Sequence, residues 1–117
     1  MTDANLCYTS ATDLAALIAN GDLSPVELMR ATIDRIESLN PTLNAICTPT
    51  LEQAMDTARR AEAAIAANQP LGPLHGIPTT IKDLVFTRGV RTMMGSHIFA
   101  DRVPDVDAVV VTRLNEA

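Results

Sequence analysis

From Pro70 to Pro78 the chain reads Pro-Leu-Gly-Pro-Leu-His-Gly-Ile-Pro, three prolines and two glycines in nine residues. Proline lacks the N–H that regular structure needs, and glycine favours turns, so a fixed turn or loop is expected there. Ahead of this loop apolar residues recur at helical spacing. Behind it comes a short β-rich segment followed by turns.

The front part carries its own helix starts. Ser10-Ala11-Thr12-Asp13 has the form of a capping box, with Leu14, Leu17 and Ile18 following at helical spacing, so a helix is expected over residues 11–19 and closed by Gly21. Ser24-Pro25-Val26-Glu27 repeats the device with proline in the first turn, and Val26, Met29, Ile33 and Ile36 form one apolar stripe. This second helix is expected to end near Leu39, before Asn40-Pro41. Residues 43–48, apolar and flanked by Pro41 and Pro49, suit a buried strand. Thr50 with Gln53 caps a third helix, burying Leu51, Ala54, Met55, Ala58 and Ile65 while Glu52, Asp56, Arg59 and Glu62 face water. It stops at Asn68-Gln69-Pro70.

Residues 77–86 are β-rich after an opening proline, which is tolerated at the first positions of a strand. Strand, helix and strand in that order predict a βαβ unit, right-handed with parallel strands, and hence an α/β fold. Parallel sheets are covered on both faces, and 117 residues do not supply all the covering layers. Asp105 or Asp107 is expected to cap a last helix through Ala108, Val111 and Leu114. That helix is still running at Ala117, so the expectation is a chain that stops where a larger protein continues.

At 117 residues the chain is sized for one domain, and its apolar fraction of 47% includes 17 alanines, so the core should be modest. The net charge is −5; residues 1–69 hold 4 basic and 9 acidic groups, residues 70–117 hold 5 of each. Clustered Lys and Arg are missing, which argues against direct nucleic-acid binding. No apolar stretch approaches a membrane span of about 20 residues, and the start has no basic segment of an export signal. Cys7 and Cys47 lie outside any metal-binding or disulfide pattern, read as small buried hydrophobes, and fit a reduced, cytoplasmic protein.

Candidate chemistry is sparse. Lys82 is the one lysine of the chain, inside the strand-like segment. Alternation puts it on a face with Thr80 and Leu84, away from Asp83. At the end of a buried strand it would sit where ligand crevices form in α/β sheets, desolvated and able to act as a base; alternatively it snorkels to water. His75 and His97 have no partner at metal-ligand spacing, so no metal is expected, and His75 reads as structural. Ser96 beside His97 lacks the strand-to-helix elbow of a nucleophile. Met93 and Met94 read as gap-filling core. The glycines match no nucleotide-binding pattern, so no cofactor is expected.

Gly72-Pro73-Leu74-His75-Gly76-Ile77-Pro78-Thr79-Thr80-Ile81-Lys82-Asp83-Leu84, followed by Gly89-Val90-Arg91-Thr92-Met93-Met94-Gly95-Ser96, resembles the GPLxGIPxxIKD and GVxTxxGS segments of the amidase signature family. The residues from Ser24 to Leu28 and Asn44 to Ile46 also resemble that family's start. The resemblance implies the N-terminal fragment of an α/β/α amidase-signature fold, with helices followed by a βαβ unit of a mixed sheet. It implies amide cleavage by a Ser, cis-Ser, Lys triad in which Lys82 matches the lysine. A neutral lysine would accept a proton relayed through the bridging serine from the nucleophile, and backbone N–H groups would hold the oxyanion.

In the resembled family both serines lie downstream of these segments. Ser10, Ser24, Ser38 and Ser96, the four serines here, match neither. The 117-residue chain is therefore expected to be inactive alone, with a small-molecule amide as substrate and the remainder of the amidase domain as its partner. A general amidase leads. The A subunit of the aspartyl/glutamyl-tRNA amidotransferase, which cleaves the glutamine amide, comes second, and a non-catalytic α/β partner-binding module is the competing class. A half-covered sheet should also expose apolar area and favour self-association.

Overall fold

The computed structural model describes residues 6–117. They fall into two compact units, residues 6–46 with 51–78, and residues 47–50 with 79–117.

The first unit is built on three helices, α1 (Ala11–Asn20), α2 (Pro25–Leu43) and α3 (Leu51–Ala66). Each start and stop has a local chemical cause. Ser10 Oγ accepts the Asp13 N–H at 3.1 Å and donates to Asp13 Oδ2 at 2.7 Å, so the two residues fix the first turn of α1. Gly21 ends it in the left-handed region at φ 78°, where its N–H and that of Asp22 reach the Ile18 and Leu17 carbonyls. Ser24 Oγ accepts the N–H groups of Val26 at 3.0 Å and Glu27 at 3.3 Å at the start of α2. Asn68 at φ 52° turns the chain out of α3.

Leu14 and Ile18 of α1, Leu28 and Ala31 of α2, and Leu6 and Leu23 form the buried core, with Leu17, Ile65 and Ile77 packed against it. Ile77 belongs to the proline- and glycine-rich loop, so that loop lies on the helices. His75 fastens it further, its Nε2 lying 2.9 Å from the Ala61 carbonyl of α3. The structural reading of His75 therefore holds. The Ser24 hydroxyl also donates to Glu62 Oε1, tying the start of α2 to α3. Replacing Ser24 with alanine removes the cap and this cross-helix bond together, and should cost about 1–2 kcal/mol. The check is a lowered denaturant midpoint at unchanged slope.

Helix α2 runs past its expected end. Pro41 lies inside it. The hydrogen bond that proline omits falls in the last turn, where little helix remains to be disturbed. Asn40 stabilises the connection to Ile46: its side chain accepts the Ile46 N–H at 2.8 Å and donates to the Ile46 carbonyl at 3.0 Å. Residues 43–48 are consequently the end of α2, a left-handed Asn44 at φ 51°, and a loop.

The expected strand at 43–48 is thus absent, and so is the one at 77–86. Among the described residues there is no strand, so the βαβ unit and its mixed sheet are not present here. A strand exists through pairing with another chain segment. Residues 77–82 have irregular backbone with no ladder partner, and β-rich composition does not create one. Both cysteines are also exposed, against the expectation of burial. Cys7 lies on the wall of an open cleft and Cys47 in the loop after α2, neither within a closed core.

The second unit is held by hydrogen bonds between loop segments distant in sequence. The Gly89 N–H meets the Pro104 carbonyl at 2.9 Å, the Thr92 N–H the Arg102 carbonyl at 2.9 Å, and the Ala108 N–H the Phe86 carbonyl at 2.8 Å. The Arg102 guanidinium lies 4.4 Å from the Phe86 ring centre and 5.2 Å from that of Phe99, over aromatic faces that attract a cation. A 3-10 turn, His97–Phe99, precedes α4 (Val109–Glu116). Neither Asp105 nor Asp107 caps α4: its N-cap is Ala108, and Asp107 instead accepts the Arg88 N–H at 2.7 Å. Leu84, Ile98, Val103, Val106, Val109 and Val110 of this unit are exposed. Among the described residues no helix is long and apolar enough to cross a membrane.

Candidate functional site

Lys82 sits at the end of the irregular run 77–82, where the chain enters a turn closed by the Val85 N–H on the Lys82 carbonyl at 2.8 Å. Its side chain is exposed, and it takes part in neither ion pair found among the described residues. The expectation of a lysine desolvated on a strand is not met in this chain. Without a ladder there is no sheet face to bury it against.

The neighbouring residue is firmly held. Asp83 Oδ1 accepts the Met93 N–H at 2.9 Å, its Oδ2 accepts the Gly95 N–H at 3.4 Å, and its carbonyl accepts the Met94 N–H at 3.1 Å. Three successive N–H groups thus converge on one aspartate. They can do so because Met94, at φ 55°, and Gly95, at φ 68°, are both left-handed. Glycine takes that conformation at no steric cost, whereas methionine does so only where its surroundings hold it. Asp83 is therefore committed to the backbone of residues 93–95 and not to Lys82. Sequence reasoning separated the two charges but missed what Asp83 binds. No spacing rule links residues 83 and 93, and the one signal was the joint occurrence of the two segments in the resembled family.

The serines are each occupied locally. Ser10 and Ser24 cap helices, Ser38 donates to the Arg35 carbonyl at 3.1 Å, and Ser96 Oγ accepts the Ile98 N–H at 3.3 Å to cap the 3-10 turn. None has a histidine or lysine as hydrogen-bond partner, so no activated hydroxyl is assembled among the described residues. No group of three or more His, Cys, Asp or Glu able to hold a metal occurs among them either. Within the first unit an open cleft of about 290 Å³ is lined mainly by apolar side chains, including Leu6, Leu14, Leu28, Ile36 and Ile77.

Comparison with known proteins bears on these features. The family model described as Amidase matches residues 27–117. An acylamidase of Rhodococcus erythropolis is 43% identical over all 117 residues, which span 24% of its own length. The A subunit of a glutamyl-tRNA(Gln) amidotransferase from Salinispora tropica is also 43% identical over 117 residues, 23% of its length. The structure of a bacterial aryl acylamidase of the amidase signature enzymes superposes with a TM-score of 0.85 at 28% identity, over 92% of this chain and 23% of that one. The chain thus spans about a quarter of the length of the relatives it matches.

Proposed function

The chain belongs to the amidase family, that of the amidase signature enzymes, and on that premise we propose that it supplies the basic residue, Lys82, of an enzyme that hydrolyses carbon–nitrogen amide bonds. The neutral Lys82 amine takes a proton from a bridging serine hydroxyl, which takes one from the nucleophilic serine as that oxygen bonds to the amide carbon. The proton then leaves with the amine or ammonia, and water releases the acyl group by the same relay. Both serines lie outside this sequence in the proposal, because each serine here is engaged in a local backbone contact.

The observation that carries the reading is the position of Lys82, in a segment matched by the family and next to an aspartate pinned by three backbone N–H groups. Because Lys82 is exposed in this chain, the base role also requires that further polypeptide cover it and exclude water, consistent with relatives about four times as long.

A general amidase acting on small acyl amides is the leading reading, supported by the acylamidase and aryl acylamidase likenesses. The glutaminase reaction of the amidotransferase is the second, favoured by relatives of that name at equal identity. An acyl anilide and glutamine, offered separately to the complete protein, distinguish them. Turnover of either should fall by about 100-fold or more in Lys82→Ala, and the 117-residue chain alone should show none. Unchanged turnover in Lys82→Ala sinks the proposal.

A further inference from the structure

We infer that Asp83 is the positioning residue for Lys82: by gripping the backbone of residues 93–95 it fixes the turn on which the lysine is mounted, without touching the reacting atoms. The inference rests on the base role proposed for Lys82.

The Lys82 backbone has two nearby constraints. On its C-terminal side its own carbonyl closes the turn with the Val85 N–H at 2.8 Å. That bond shapes the turn but does not attach it to anything else. The attachment nearest to Lys82 is the adjacent Asp83, whose carboxylate and carbonyl take the N–H groups of Met93, Gly95 and Met94. The next one comes four residues after the lysine, where the Phe86 carbonyl accepts the Ala108 N–H and the Phe86 ring lies under Arg102. Phe86 is thus enough to keep the segment in place but too far along the chain to set the direction of the Lys82 stem.

The grip is also specific to a carboxylate. Oδ1 and Oδ2 each accept one N–H, Met93 on one side and Gly95 on the other, so both oxygens are used at once. An asparagine in the same place offers one acceptor and turns its NH2 towards the second N–H. The left-handed Met94 between those two N–H groups shows how closely the loop follows the carboxylate. A base must be placed to within a fraction of an ångström of the proton it takes, and a misplacement of about 1 Å costs on the order of 100-fold in rate.

The test uses the complete protein with an acyl anilide as substrate, and Asp83→Ala, Asp83→Asn, Lys82→Ala and the double variant Lys82→Ala with Asp83→Ala. The expected result is a fall in kcat of about 100-fold in Asp83→Ala, with KM changed by less than about threefold and an intermediate fall in Asp83→Asn. In the double variant the residual rate should match that of Lys82→Ala alone, because a displaced lysine and a missing lysine fail at the same step. Near-wild-type kcat in Asp83→Ala, or losses that multiply in the double variant, overturn the inference while Lys82 stays essential. Wild-type turnover in Lys82→Ala instead removes the base role, and the positioning role with it. Should Asp83→Ala fail to fold, Asp83→Asn carries the same comparisons.

Discussion

Lys82→Arg in the complete protein should reduce kcat/KM for a simple amide by about 1,000-fold or more, in a variant that a melting curve shows to be folded at the assay temperature. The substitution separates two things a lysine can do. Arginine preserves the positive charge and much of the reach, so an anchoring role for a substrate carboxylate would survive as a modest rise in KM. It does not give up its proton in a protein, so it cannot accept one from a serine hydroxyl. A fall of about 1,000-fold corresponds to about 4 kcal/mol of lost transition-state stabilisation, within what a single proton-transfer group supplies. The measurement is steady-state kinetics paired with a melting curve. Turnover within a few-fold of wild type would mean that charge, and not a transferable proton, is what this position provides.

The helices were legible because their ends are encoded within three or four residues. Ser10 with Asp13, Ser24 with Pro25, and Gly21 behave as their types and spacing require, and the buried face of α3 is the one its apolar positions indicate. The failures share a cause, a partner distant in sequence. Asn40-Pro41 reads as a stop, yet the Asn40 side chain binds both backbone groups of Ile46, which lets α2 continue to Leu43. Residues 77–86 have strand composition, but a strand is a relation between two segments and composition describes one. Asp105 and Asp107 looked like helix caps until the Arg88 N–H claimed Asp107.

At the site the same division applies. Lys82 stood out as the single lysine and through the resemblance, so the residue was legible from sequence. Its exposure and the grip of Asp83 on residues 93–95 were not, since both depend on how the backbone folds over ten residues with no periodic signal. The resemblance and the residue-level reading contributed differently. Spacing and residue type gave the helices, whereas the family segments singled out the lysine.

Gly76 offers the test of how the loop in this motif is seated. It lies at φ 76°, and a Cβ built on it would stand 2.8 Å from Pro25 Cγ, 3.0 Å from Pro25 Cβ and 3.5 Å from Ile18 Cδ1. Pro25 is buried at the start of α2, and its ring has no rotamer by which to retreat. Gly76→Ala should therefore combine left-handed strain of about 1–2 kcal/mol with overpacking of about 1–3 kcal/mol, for a loss of about 2–5 kcal/mol. Gly21 supplies the control, since it is left-handed at φ 78° with nothing within 4 Å of a built Cβ. Gly21→Ala should show the conformational cost alone, about 1–2 kcal/mol. The difference between the two denaturant midpoints, at matched slopes, isolates the contact between the loop and α2. Equal losses would show that the loop does not press on Pro25, and that Gly76 is there for its backbone conformation only. A larger loss at Gly76 would mean that the loop leading towards Lys82 is held by a contact no other residue type allows.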